Sequence, residues 1–384
     1  MDELRPDRLG SHGAFGYRRS MTATLRSQMP AVYRAWLPEL FDRPALPEPR
    51  ATCDDCAMCE KGGGAGALQA GFFRPEVKCC SYHPTLPNYL VGAALRDESP
   101  ELATGRTRLR AKIAARVGIT PVWLAAPRKY LVLYDAARES SFGRSEDLLC
   151  PYFDRGASNC SIWPYRESVC ATFFCKHAAG ASGHAFWRAL KRYLAHVEVA
   201  LARYSATSVR GTAPPPDLPR TKLTREDLEG KPPTEADYAL LWGGDSTRRE
   251  EAFYVECARV VESMGKAELT RIVDDAGGRE LLATATARYD AVVRPKLAAR
   301  LSLNPALRVT PAPGGVGVTS YSIYDPLFLT QDLYDALSKF SAAELTTEVL
   351  ARLLRDDEVE LPEALLLEMQ LHGVMTAVEP PAVV

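Results

Sequence analysis

No apolar run in the 384-residue sequence reaches the roughly 18 residues that a membrane-spanning helix needs, so no membrane partner is expected. Neither sign of charge is in excess. Lys and Arg number 47 against 48 Asp and Glu, which leaves no overall basic field for nucleic-acid phosphates. The beginning, Met1–Arg8, is charged and lacks an apolar stretch. A secretory signal is therefore not expected, and the expected compartment is the reducing cytoplasm. No Ser-His-Asp set, HExxH, GxGxxG or paired-carboxylate signature stands out. The glycine-rich Lys61–Gly66 has no GKS or GKT behind it, so a phosphate-binding loop is not supported.

What is present is cysteine. Ten occur, and nine fall in two clusters. The first is Cys53, Cys56 and Cys59 as C-x2-C-x2-C, followed by adjacent Cys79 and Cys80. The second is Cys150, Cys160, Cys170 and Cys175, interleaved with turn formers (Asp154, Gly156, Asn159) and large apolar side chains (Phe153, Ile162, Trp163, Phe173, Phe174). Disulfides suit small secreted domains with little core. This chain is 46% apolar, so it can bury a core without staples. The C-x2-C spacing in a reducing compartment points to metal or iron–sulfur chemistry.

Two residues between thiols let one loop present both sulfurs to one centre. A run of three favours an iron–sulfur cluster, which bacterial ferredoxins hold with C-x2-C-x2-C. Vicinal Cys79 and Cys80 diverge and rarely serve one ion together. They split either into one ligand and one packing thiol, or into one ligand for each of two centres. The nine candidate metal ligands are Cys53, Cys56, Cys59, Cys79, Cys80, Cys150, Cys160, Cys170 and Cys175. Eight suffice for two 4Fe–4S clusters or two zinc sites, and both metals accept four thiolates. His83 is a further candidate ligand, weighed against an ordinary turn histidine before Pro84. His177 and His184 are candidates for hydrogen bonds to a cluster sulfur, weighed against capping or surface roles. Cys257 stands alone inside a predicted helix and reads as a buried structural thiol.

Cys150-Pro-Tyr-Phe, then Cys160-Ser-Ile-Trp-Pro-Tyr-Arg-Glu-Ser-Val-Cys170, then Cys175 resembles the second half of the YkgJ-like cysteine-cluster family, described as zinc- or iron-chelating. Ile162, Trp163 and Arg166 fill the apolar, aromatic and arginine places. Glu167 replaces the usual proline, and the double cysteine of CxxCxxCC is displaced to Cys79-Cys80. The resemblance covers roughly residues 50–180. It implies a cytoplasmic metal-binding protein, with iron–sulfur as the expected cofactor and zinc as the alternative. Flagellin lysine N-methylases carry a related cysteine domain, but this sequence does not otherwise resemble them. A redox or protein-modifying activity is one expectation, and a structural zinc protein without catalysis is the other.

The expected fold is mainly α with small β elements (α+β): a cysteine-rich metal-binding domain, a helical region, then a small winged-helix-like C-terminal subdomain. The segments are 1–50, an extension with one or two short helices over Met21–Leu40; 51–207, the cysteine domain; 208–235, a Pro-rich linker; 236–305, a helical domain; and 306–384, the subdomain. Ser99 and Pro100 predict the start of a helix over 99–117, whose Arg106, Arg108, Arg110, Lys112 and Arg116 form a basic face. Lys129–Tyr134 reads as a strand. Phe186, Leu190, Tyr193, Leu194, Val197 and Leu201 recur at helical spacing and predict a helix over Ala181–Tyr204. Leu307–Thr310 and Val316–Ser322 flank P-A-P-G-G, a hairpin signal. Three short helices follow, with a predicted core of Leu329, Leu333, Leu337, Phe340, Val349, Leu353, Leu366 and Val374. This arrangement resembles the winged-helix-like PqqD element. A subdomain that only packs and a protein or peptide docking module are the two readings, while its acidic stretch from Glu344 to Glu363 argues against DNA.

Overall fold

The structure, a computed structural model, describes residues 23–34, 37–48, 56–59, 73–214, 224–242 and 250–378. It is mainly helical with small antiparallel sheets, the expected α+β class. Among the described residues no helix is long and apolar enough to cross a membrane.

The chain opens with two single-turn helices, α1 (Leu25–Gln28) and α2 (Ala31–Arg34). Thr24 caps α1 by accepting from the Ser27 amide. Leu86–Pro87 (β1) then pairs with Trp123–Leu124 (β2). Between them lie α3 (Asn88–Arg96) and α4 (Ala103–Ala115), the latter entered through a 3-10 turn at Pro100–Leu102.

The basic face of α4 is used inside the molecule. Arg108 donates to the carbonyls of Pro151 and Phe153, Arg110 pairs with Glu251 at 3.0 Å, and Arg116 pairs with Glu235 at 2.9 Å. Arg106 donates to the carbonyls of Asp97 and Ser99.

The segment expected to be a strand is α5 (Arg128–Ser141). Its β-branched and aromatic residues are overridden by their surroundings. The helix sets Tyr130 and Tyr134 one turn apart on one face, stacked with centroids 5.9 Å apart, whereas a strand would have alternated its side chains.

Phe153–Asp154 (β3) and Asn159–Cys160 (β4) form a small hairpin, followed by α6 (Ser168–Thr172) and the long α7 (Gly180–Arg210). The six residues predicted to be the apolar stripe of α7 are all buried. The helix outruns its expected end and takes in the first residues of the supposed linker. Of the rest of that stretch, residues 211–214 and 224–235 are described, and Thr224 caps α8 (Arg225–Glu229).

Next come α9 (Glu235–Trp242), α10 (Glu250–Ser263), α11 (Lys266–Asp275) and α12 (Gly278–Val293). These residues, expected to form a domain of their own over 236–305, pack into the same cores as the segment before the linker. Cys257, Val261, Leu269 and Tyr289 join Leu25, Tyr33, Phe186 and Leu194 in one core. Tyr238 and Tyr254 join Leu86, Leu109, Cys150 and Ile162 in a second. Helix α10 lies directly on α3: a Cβ added at Gly92 would sit 1.8 Å from the Tyr254 carbonyl oxygen. Only glycine permits that approach.

The C-terminal subdomain has a third core. β5 (Leu301–Leu303) pairs with a later strand, and β6 (Arg308–Ala312), β7 (Gly315–Thr319) and β8 (Leu327–Thr330) make a three-stranded antiparallel sheet. Helices α13 (Gln331–Ser338), α14 (Thr346–Asp357) and α15 (Glu363–Leu371) follow, and β9 (Met375–Ala377) closes on β5. Of the predicted core residues here, Leu333 is half-buried and the other seven are buried.

Candidate metal centre

Described thiols from both clusters converge on one cavity. Cys53 lies outside the described residues. Cys56 and Cys59 sit on one turn, closed by the Cys59 amide donating to the Cys56 carbonyl at 3.2 Å. Cys79 and Cys80 sit on a second turn, where Lys78 takes a left-handed backbone (φ 53°). Cys150 is tied to this turn by its amide, which donates to the Cys80 carbonyl at 2.6 Å. Cys160 lies on β4 opposite Phe153, Cys170 on α6, and Cys175 between α6 and α7.

Seven of them (Cys56, Cys79, Cys80, Cys150, Cys160, Cys170 and Cys175) line a cavity of about 340 Å³. Lys78, Arg138, Arg166 and Lys191 also line it, with Tyr82, Tyr134, Phe142, Tyr152 and Phe173 among the aromatic walls. Trp163 is 38% exposed at the rim, under the Arg166 guanidinium at 3.3 Å from its ring centroid. Phe174 turns away and packs on Trp187, centroids 4.6 Å apart.

Electrostatic proximity divides the thiols. Burial and then Cys56 push Cys59 up to about 12, with Cys79 also contributing. Burial, then Cys79 and Cys56, push Cys175 up to about 12. Burial and then Cys160 raise Cys150, while Cys170 is raised by burial, Glu167, Cys150 and Cys160. Cys56, Cys59, Cys79 and Cys175 thus act on one another, as do Cys150, Cys160 and Cys170, and Cys80 packs in the core that holds Cys150.

All nine described cysteines are free thiols. Among the described residues, no three or more His, Cys, Asp or Glu groups form a ready-made metal cage. The donor chemistry nonetheless fits a thiolate-bound metal. Soft sulfur donors from both clusters line one cavity, which penalises several bare thiolates together, a penalty that a bound cation reverses.

The sequence reading missed a buried carboxyl pair beside Cys170. Glu167 caps α6 by accepting from the Val169 and Cys170 amides. Glu198, on α7, accepts from the Ser168 amide and hydroxyl, each at 2.7 Å, and from the Tyr33 hydroxyl. The Ser168 hydroxyl also lies 3.3 Å from Glu167 Oε2, yet it has one proton to give. A proton held on one carboxyl supplies the missing donor. Burial, then Glu167, raises Glu198 to about 8, and burial raises Glu167 as well. The one visible sign was glutamate where the resembling family has proline.

The histidines do not reach the cavity. The His83 ring is buried between Tyr130 and Tyr152, its Nδ1 lies 3.0 Å from the Pro84 carbonyl, and burial followed by Lys112 lowers it to about 4. His177 and His184 face each other and Tyr321 of the C-terminal subdomain.

Family models, curated proteins and solved structures were each compared with this chain, and none matches.

Proposed function

We propose that this chain is an iron–sulfur protein, related to the YkgJ-like cysteine-cluster family, with two four-thiol centres and a cytoplasmic redox or protein-modifying role. The observation that carries this reading is the parting of Cys79 and Cys80. Cys79 acts on Cys59 and Cys175, and Cys80 packs in the core that holds Cys150, with Cys160 beside it. Two sets of four thiols match the ligand demand of two 4Fe–4S clusters. Such clusters, when bound, supply one-electron transfer.

The chain's own residues prepare the place. Lys78, Arg138, Arg166 and Lys191 bring positive charge to a cavity that collects thiolates, which lowers the cost of ionising them. Tyr152 and Phe173 exclude water, a lever on cluster potential. Glu167 fixes the first turn of α6 and with it the direction of Cys170. The C-terminal subdomain has its own core and an exposed Phe328 on its sheet, which suits a protein or peptide partner.

The alternative is a zinc protein with structural sites and a binding function. It is favoured by the same division, since four sulfur donors complete a closed tetrahedral zinc site. Protein purified without oxygen decides between them. Brown colour, broad visible absorption bleached by dithionite, and iron with acid-labile sulfide support the clusters. Colourless protein with stoichiometric zinc supports the alternative.

A further inference from the structure

The β7–β8 loop, residues 320–326, brings the C-terminal subdomain to the edge of the thiol cavity. Tyr324 packs edge-on against Phe73, with centroids 5.3 Å apart, and tilted against Phe142 at 6.2 Å. Both phenyl rings line the cavity. The Tyr324 phenol is raised chiefly by burial, and Cys175 is near enough to raise it further.

The loop is seated on the chain that immediately follows Cys175. Asp325 Oδ2 accepts from the His177 amide at 3.4 Å and from the Tyr321 hydroxyl. The Tyr321 ring rests on His177 at 5.6 Å and on His184 at 5.2 Å. Ser320 at the head of the loop donates to the His372 carbonyl. His372 in turn lies on Gly180, where a Cβ would come within 2.5 Å of the His372 Cα. Gly180 has φ +50°, a backbone that suits glycine, so the first residue of α7 is shaped to receive the subdomain.

We propose that this loop caps the thiol cavity beside Cys175, with Tyr324 as the closing side chain. Through it the C-terminal subdomain governs access of solvent, oxidants and exchanging ligands to Cys175. The proposal rests on the reading of that cavity as the metal centre and is independent of which metal it holds. Aromatic packing across the mouth, held by a few polar contacts to one loop, is an arrangement that opens locally at far lower cost than global unfolding.

The test is N-ethylmaleimide labelling of the full-length protein, mapped residue by residue by mass spectrometry. Tyr324→Ala should label Cys175 several-fold faster than wild type, with Cys150 and Cys257 unchanged. Tyr324→Phe, which keeps the ring, should behave as wild type. Asp325→Ala leaves the aromatic contacts in place but removes the loop's anchor to His177 and Tyr321, and should give the same selective rise at Cys175. An unchanged Cys175 rate in both alanine variants, or a rise shared equally by Cys150 and Cys257 in both, would overturn the cap. The readout is labelling rate and needs no bound metal, so metal analysis of the same samples reports separately on the centres themselves.

Discussion

Lys78 Nζ donates a 2.8 Å hydrogen bond to the Ser158 carbonyl, and both residues hold left-handed backbones, with φ of 53° and 52°. One closes the turn that presents Cys79 and Cys80. The other lies in the turn of the β3–β4 hairpin that presents Cys160. A single buried ammonium thus staples the upstream cysteine turn to the downstream one. Replacing Lys78 with Met keeps the stem and removes the donor, leaving a carbonyl without its charged partner. The expected loss is about 1–3 kcal/mol of stability, with weaker metal retention at both groups. Denaturant unfolding and metal analysis check this, and a variant equal to wild type in both would refute the staple.

The Glu167–Glu198 pair makes stability depend on pH. Glu198 is raised in the folded state to about 8, by burial and then by Glu167, from an ordinary value of 4.5. A group whose folded pKa is raised contributes stability that is complete below its unfolded value and is lost as pH rises through the folded one. The window therefore runs from about pH 4.5 to about 8. Glu198→Gln keeps the shape without a titrating proton. Wild type should lose on the order of 1–3 kcal/mol more than Glu198→Gln across that window. Calorimetric melting temperatures at several pH values measure it. Parallel pH profiles for the two proteins would contradict a raised Glu198.

Cys160 links metal to folding, because it lies on the hairpin that faces Cys150 and Cys170. A metal that joins distant segments adds its binding free energy to stability, on the order of 10 kcal/mol for structural zinc peptides. Cys160→Ala should lose metal from its group and melt at a distinctly lower temperature. Unchanged metal content would remove Cys160 from the ligand set.

How much of this was legible in the sequence depends on the range of the interaction. Helix α7 was readable because Phe186, Leu190, Val197 and Leu201 repeat at helical spacing, and the β6–β7 hairpin because its turn residues are local. Lys129–Tyr134 was misread because its β-forming composition is a weak preference that packing of Tyr130 and Tyr134 overrides. The helices beyond the linker carry no mark of their partners. That Tyr254 lies against Gly92, or Tyr289 beside Phe186, follows from three-dimensional packing alone. The cysteine clusters were plain, and so was the choice facing the Cys79-Cys80 pair. How that pair is turned was not, since the left-handed residue before it is Lys78, a residue type that seldom marks such a turn. Glu198 was hidden because an isolated glutamate in an amphipathic helix looks like surface.

The proposed pair of centres requires Cys79 and Cys80 to serve different sets of ligands. Its most direct test is iron, zinc and acid-labile sulfide content per chain in anaerobically purified wild type, Cys79→Ser and Cys80→Ser. Each variant should lose about half of the wild-type metal and keep the other half, because each breaks one proposed set of four thiols and spares the other. Full metal in both variants, or complete loss in either one with the fold retained, would contradict it.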